Sequence, residues 1–190
     1  MPNLKQIANN IKASIPTIRV AMANSEVEAM QDTLGMITKR IFNKGLKTDG
    51  TPIGRYDDTN KQTFLTKRAE ASLTKKQRAD LAKKRLKIGK NNQQDFDGLT
   101  YKELRKLKGL QTDYVDLQFN GDLFNSVNVG NFNGRPAIGI VGEKQSKIAG
   151  YHDDKYGVIF TASKEEKRIA AESARDYLFK ELKRIIGTWS

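Results

Sequence analysis

The residues of this sequence that could carry catalytic chemistry are few and lie in one short stretch. His152 is the sole histidine among 190 residues, and there is no cysteine. Asp153, Asp154 and Lys155 follow it, a combination of residue types used where carboxylates hold magnesium and a lysine supports an attacking water. Adjacent residues of an extended chain point to opposite faces, so we expect the two carboxylates to diverge in a turn before a strand. This argues against a magnesium-dependent nuclease.

One histidine without cysteine also argues against several other kinds of site. A Ser-His-Asp triad would need His152 beside a nucleophile elbow, and no Gly-x-Ser-x-Gly occurs. A zinc site needs several His or Cys ligands. The phosphate-loop and dinucleotide-binding glycine motifs are absent as well. We therefore expect a non-enzymatic protein without catalytic residues, metal or cofactor, in which His152 lies at a helix end or in a subunit contact.

Positive charge is the strongest compositional feature. The chain carries a formal charge of +12, and fifteen basic residues face five acidic ones between Lys61 and Lys108. Such a cluster can neutralise phosphates in a salt-sensitive way or contact an acidic protein surface. Phe64, Phe96 and Tyr101 are its only aromatic residues, so a stacking platform for single strands is not indicated. The candidate contact residues for a partner protein or DNA are Lys67, Arg68, Lys75, Lys76, Arg78, Lys83, Lys84, Arg85 and Lys87.

Apolar residues at helical spacing predict helices before the basic stretch. Residues 3–15 form the first pattern, and Pro16 is expected to break it or to start the next helix. A second pattern runs over residues 17–42, where the capping-box sequence at 24–28 predicts a division into two helices. Gly45 is expected to end the last of them, followed by a loop.

The basic stretch itself shows weak helical patterns with few apolar residues. A helix is expected over residues 75–86, and Thr100 begins a capping box that predicts another. We interpret residues 61–108 as a basic, helix-rich insertion or arm. The flanking residues 1–60 and 109–190 then form one domain, whose length suffices for a core of its own.

The last part of the chain shows strand patterns and a closing helix. Alternation over residues 115–119 predicts a strand or extended segment. The Asn-Gly pair at 133–134, between two alternating runs, predicts a hairpin. A short helix over 143–151, a third strand over 157–160 and a helix over 163–186 follow. The fold class expected is α+β, with helices packed on a small antiparallel β-sheet.

Three segments resemble the phage virion morphogenesis, or tail-completion, family of small neck proteins. Residues 37–56 end a helix and lead into a glycine turn and a tyrosine, as in that family. Residues 111–126 resemble the family's element at the start of its hairpin. Residues 148–152 (Ile-Ala-Gly-Tyr-His) are similar to its tyrosine-alanine and histidine turn before the last strand and C-terminal helix. The resemblance covers about residues 30–60 and 110–186, so it leaves the basic stretch unexplained.

This resemblance implies a structural virion protein of a tailed bacteriophage with no catalytic residues to carry over. It implies a homo-oligomeric ring, usually of six or twelve copies, between portal-side connector proteins and tail proteins. Such a ring uses heterologous contacts that close, and a charged insertion can become ordered against a neighbour. The protein is then expected to be made in the bacterial host cytoplasm and to reside in the virion neck or tail.

Three further expectations concern a nucleic-acid partner, the membrane and secretion. The residues leave open a nucleic-acid-binding accessory protein that acts non-specifically through residues 61–108, and contact of this segment with packaged DNA is compatible with either function. No run approaches 18 consecutive apolar residues, so we expect no membrane span. The N-terminus has no apolar stretch followed by a small-residue cleavage site, so no secretory signal is expected.

Overall fold

A computed structural model describes residues 3–59, 61–62, 71, 73–88, 99–118, 120–132 and 135–187. Its elements are, in chain order, α1 (Leu4–Thr38), a π-helical turn (Lys39–Asn43), β1 (Lys61–Gln62), α2 (Lys75–Ile88), β2 (Leu99–Thr100), α3 (Tyr101–Leu107), α4 (Asp122–Ser126), β3 (Val127–Phe132), β4 (Arg135–Ile140), α5 (Glu143–Tyr156) and α6 (Lys164–Gly187). The predicted α+β class is confirmed. Among these helices, none combines the length and the apolar composition of a membrane span.

Helix α1 is longer than the sequence patterns predicted. It begins with a capping box at Asn3 and runs through Pro16 for 35 residues. Ser25 does not cap a new helix, because its hydroxyl donates to the carbonyl of Met22 at 2.7 Å within the continuing helix. Proline removes one backbone donor and its ring crowds the carbonyl four residues earlier, and packing of the later turns against α6 outweighs that cost. The predicted break at Pro16 and the predicted division near Ser25 are therefore wrong.

Helices α1 and α6 pack against each other in antiparallel order. Ser173 of α6 donates to Asp32 of α1, whereas the earlier Glu166 contacts the later Arg40. The buried residues of α1 recur every fourth position and are mostly small, which lets the two helix axes approach closely. They are Ala21, Ser25, Ala29, Thr33 and Ile37.

The end of α1 anchors it in the hydrophobic core. The π-helical turn buries Arg40, Ile41 and Phe42 in succession. Gly45 then adopts a left-handed conformation with φ +62°, and its amide donates to the carbonyl of Ile41 at 3.1 Å. This 5→1 bond is typical of a glycine helix end and confirms the predicted C-cap.

The core lies where the end of α1 meets the hairpin, α4 and α5. Strands β3 and β4 pair antiparallel from Val127↔Ile140 to Phe132↔Arg135, which confirms the predicted hairpin; its turn, 133–134, lies outside the described residues. The buried core residues are Ile37, Ile41, Phe42, Ile53, Tyr56, Val115, Leu123, Val127, Ala149 and Ile159.

Neither the strand or extended segment expected at 115–119 nor the strand expected at 157–160 pairs into a sheet over its described residues. At 115–118 the alternation is interrupted because Leu117 has φ +54° and the Asp116 carboxylate accepts the amide of Gln118 at 2.9 Å, an Asx-type turn that competes with a ladder. At 157–160 the chain is also irregular. There the carbonyl of Ile159 accepts a hydrogen bond from the Arg40 side chain at 3.0 Å instead of from a strand.

The helices near the C-terminus were predicted more accurately. Helix α6 follows the predicted Ser163–Glu166 capping box, with the amide of Glu166 donating to the Ser163 hydroxyl at 3.1 Å. Helix α5 was expected to end near Tyr151 but continues to Tyr156. Asp153 and Asp154 are therefore helical, and the turn expected there is wrong.

Candidate interaction site at the root of the basic segment

The two ends of the basic segment leave the domain at one place. Strands β1 and β2 pair antiparallel, with Lys61 opposite Thr100 and Gln62 opposite Leu99. Thr100 also caps α3 through the predicted capping box, since its hydroxyl accepts the amide of Glu103 at 3.1 Å and its own amide donates to the Glu103 carboxylate at 3.0 Å. The start of α3 is thereby fixed directly to the strand pair.

Arg105 of α3 lies at the centre of this root and is completely buried. Its Nη2 donates to both carboxylate oxygens of Asp116, each at 2.9 Å. Its Nε donates to the carbonyl of Gln111 at 2.9 Å, and its Nη1 donates to the carbonyl of Gln118. A buried guanidinium needs this kind of full pairing, because an unpaired buried charge is strongly destabilising.

Tyr56 completes the arrangement from the domain side. Its hydroxyl donates to Asp116 Oδ1 at 2.7 Å and accepts the Asp116 amide at 3.0 Å. The Arg105 guanidinium lies 4.2 Å from the centre of the Tyr56 ring, and the Tyr101 ring lies 5.3 Å from it. Burial, reinforced by Asp116, raises the pKa of Tyr56, so the phenol stays a donor. We call Tyr56, Tyr101, Arg105 and Asp116 the root cluster.

The root cluster bears on the predicted insertion 61–108. Helix α3 falls inside that range, yet Leu104 and Arg105 are buried. On the inner side of the strand pair, residues 101–108 thus pack as part of the domain. The division into 1–60 with 109–190 and a 61–108 insertion stays a prediction.

Helix α2 presents part of the predicted basic surface. Thr74 caps it, accepting the amide of Gln77 at 3.2 Å. Lys75, Lys76 and Arg78 are exposed, and Arg78 Nε also donates to the carbonyl of Leu73 at 3.0 Å. Four further candidates belong to α2, although their side chains lie outside the described residues: Lys83, Lys84, Arg85 and Lys87. Two more candidates lie wholly outside the described residues: Lys67 and Arg68.

Residues 152–155, whose residue types could carry catalysis, lie in the last turns of α5. The Asp153 carboxylate accepts the amide of Ile159 at 2.8 Å, whereas Asp154 is exposed. No group of three or more potential metal ligands occurs among the described residues. His152 stacks on Tyr156 with ring centres 5.9 Å apart, and its buried Nδ1 has no hydrogen-bond partner in the described part of the chain.

A second buried ion pair, Arg40–Glu166, joins the end of α1 to the start of α6. Arg40 Nε donates to Glu166 Oε1 at 2.8 Å, and Nη2 donates to the carbonyl of Thr161 at 2.9 Å. Glu166 also accepts the amide of Ser163 at 2.7 Å. This pair therefore holds the start of α6 against the end of α1.

Sequence reasoning missed both ion pairs because it assigned neither arginine a buried partner. Arg105 was one of the fifteen basic residues of the middle segment, and Arg40 was placed at a helix end. A signal for Arg105 is present in the sequence: Leu104 beside it follows the Thr100 capping box, so the short helix has an apolar side to bury.

No protein-family model, curated protein or solved structure matches this chain.

Proposed function

We propose that this chain is a non-enzymatic structural protein of a tailed bacteriophage, which forms a ring in the neck or tail-completion complex that joins head and tail. The observation that carries the proposal is that the three segments resembling the tail-completion family meet in one core. Ile53 and Tyr56 come from the first segment, Val115 and Leu123 from the second, and Ala149 from the third. The motif residues are thus packing residues, which suits a family resemblance that implies no catalytic site.

Exposed apolar side chains around this core supply surface for contacts between copies. Val141, Tyr151 and Val158 each leave more than half of their surface in solvent. Exposed apolar surface of this kind is typical of interaction sites when it is contiguous. A ring needs two different surfaces that meet around a closed circle, and the neighbouring connector and tail proteins would contact its two open faces.

Native mass spectrometry and negative-stain microscopy of the purified full chain test the proposal. We expect a discrete ring of six or twelve copies that persists after nuclease treatment. The nuclease step matters because a basic protein can be held together by adventitious nucleic acid. A chain that stays monomeric across the micromolar range, with or without nucleic acid, would contradict the ring.

Non-specific nucleic-acid binding through residues 61–108 is a second candidate function. The observation that favours it is α2, which holds seven basic residues and a single acidic one, Asp80. Each phosphate contact contributes about −0.9 to the slope of log affinity against log salt concentration on duplex DNA. Binding that collapses between low and high salt in a monomer would favour this function over the ring.

A pair of matched variants tests the second function. Lys75→Gln with Lys76→Gln removes two exposed cations from α2, and we expect the salt slope to become shallower by as much as about 2. Lys144→Gln with Lys167→Gln removes two exposed cations elsewhere and serves as the control. Equal slopes for the two double variants would argue that DNA contacts, if any, do not involve the start of α2.

A further inference from the structure

The first half of α1 carries a regular apolar seam. Its residues alternate at spacings of four and three along the helix, which is the pattern that packs against a partner helix in a coiled coil. The seam consists of Leu4, Ala8, Ile11, Ile15, Ile18 and Met22. Because 19 residues of helix span about 28 Å, the seam is long enough for roughly five helical turns of contact.

Much of this seam faces solvent. Leu4 is 86% exposed, Met22 is 50% exposed, and Ile11 and Ile15 are each more than 40% exposed. Helix α6 ends at Gly187, 14 residues after Ser173, which contacts Asp32 of α1. Because the two helices are antiparallel and rise equally per residue, Gly187 lies level with about residue 18 of α1, 14 residues before Asp32. The seam residues before Ile18 therefore lie beyond the level of Gly187.

The flank of the seam is basic and contains no acid. Lys5, Lys12 and Arg19 each follow a seam residue by one position and recur every seven residues, and Glu26 is the first acidic residue of the chain. In a coiled coil this flanking position chooses the partner by charge. The neighbouring end of α6 is basic too, with four cations against two acids; they are Arg175, Lys180, Lys183, Arg184, Asp176 and Glu181.

This charge decides which occupant the seam fits. A second copy paired antiparallel through the same seam would set its Lys and Arg flank against an identical flank, which is unfavourable. A second copy paired in parallel would place its other flank, Ile7, Ser14 and Ala21, beside these cations. That flank holds no anion to pair with them. A helix with an apolar stripe flanked by Glu or Asp satisfies both the seam and its cations.

We infer that the first half of α1 is a docking site for an acidic amphipathic helix of another protein. The seam supplies the apolar contact, and Lys5, Lys12 and Arg19 select the acidic flank. The inference does not depend on the ring, because the seam lies on the part of α1 that precedes the core, whereas the proposed ring surfaces surround the core.

Binding of two designed peptides to the full chain tests this inference. Both peptides have three heptads with the same Leu and Ile seam; one carries Glu at the flanking positions and the other carries Lys. We expect fluorescence anisotropy to show the Glu peptide binding at least about tenfold more tightly than the Lys peptide. Reversing Lys12 and Arg19 to Glu should invert that preference.

Variants of α1 locate the site. Ile11→Asp should weaken binding of the Glu peptide at least about tenfold, because it places a charge in the seam. Val20→Asp is the matched control, since Val20 is 59% exposed on the same helix but lies outside the four-three series. Both variants should keep the helical circular dichroism of the parent chain. Equal affinity for the two peptides, or equal loss in both variants, would overturn the inference.

Two other occupants are separate outcomes that would also overturn it. Self-association of the parent chain that Ile11→Asp abolishes, without peptide discrimination, would make the occupant a second copy. Sedimentation with phosphatidylglycerol vesicles that Ile11→Asp abolishes, again without peptide discrimination, would make it a lipid surface. If the ring forms in Ile11→Asp while the parent chain shows no peptide preference, the proposed function survives and this inference fails.

Discussion

Replacing Arg105 by methionine should cause a large loss of stability, because it breaks the root cluster from within. Methionine keeps much of the volume but removes the hydrogen bonds that the guanidinium donates to Asp116, Gln111 and Gln118. Asp116 Oδ2 loses the hydrogen bond from Arg105 Nη2, whereas Oδ1 keeps the Tyr56 hydroxyl and the Gln118 amide. The substitution thus leaves a buried carboxylate with half of its partners.

The expected size of this effect follows from the burial. Removing one partner of a buried ion pair costs about 3–5 kcal/mol, and the carbonyls of Gln111 and Gln118 lose their donors at the same time. Domains are stable by only about 5–15 kcal/mol, so the change is a large fraction of the total. Arg168→Met is the matched control, because Arg168 also bonds two carboxylates, Glu165 and Glu172, but on the exposed face of α6. We expect that variant to unfold close to the parent.

Urea unfolding followed by circular dichroism at 222 nm measures these differences, and a double-mutant cycle assigns them. Asp116→Asn removes the charge of the partner, so Arg105→Met should cost at least about 1 kcal/mol less in that background than alone. The reasoning is refuted if Arg105→Met unfolds like Arg168→Met. It is also refuted if the effects of the two root-cluster substitutions add without coupling.

Three other outcomes are expected. Gly45→Ala should destabilise by about 2 kcal/mol more than Gly50→Ala in urea unfolding, because both have positive φ but a Cβ at Gly45 would overlap the Tyr114 side chain, whereas one at Gly50 meets nothing within 4 Å. Burial, aided by Lys155, lowers the pKa of His152, so the unfolded chain binds the proton more readily and the folded protein loses stability below about pH 6.5. His152→Phe should abolish this loss. Urea midpoints of the parent and the variant at pH 7.5 and pH 5 measure it. Replacing residues 63–98 by an Asn-Gly turn should leave the thermal midpoint nearly unchanged, because the strand ends that it joins are already paired, whereas removal of 61–108 should lower it.

The features predicted correctly from sequence are those whose cause is local. The capping boxes at Thr100 and Ser163 each need only two side chains three residues apart, and both form. The hairpin around the Asn-Gly pair depends on its turn and on the alternation of its two arms. The glycine end at Gly45 likewise depends on one residue's freedom to adopt positive φ. In each case a window of a few residues contains all of the relevant physics.

The features predicted wrongly depend on distant parts of the chain. Pro16 and the capping-box sequence near Ser25 carry real local signals, but the helix continues past both because α6, more than 130 residues later, covers one side of its later turns. The root cluster also depends on distant residues, because no local sequence pattern near Arg105 predicts that Asp116 and Tyr56 will contact it. Burial of a charged residue is decided by its partners, and one partner of this cluster, Tyr56, lies 60 residues before Asp116 in the sequence.

The absence of strand pairing at 115–118 and at 157–160 has the same physical explanation in both places. An extended, apolar run becomes a strand when neighbouring backbone satisfies its carbonyls, and buried carbonyls must be satisfied by some donor. At 115–118 a donor is the guanidinium of Arg105, which bonds the carbonyl of Gln118. At 157–161 it is the guanidinium of Arg40, which bonds the carbonyls of Ile159 and Thr161. Each buried arginine therefore takes the place of a missing strand neighbour, and its own charge is balanced by one carboxylate. Alternation in a sequence can show that a segment is extended and half-buried, but it cannot show whether a strand or a side chain will bind its backbone.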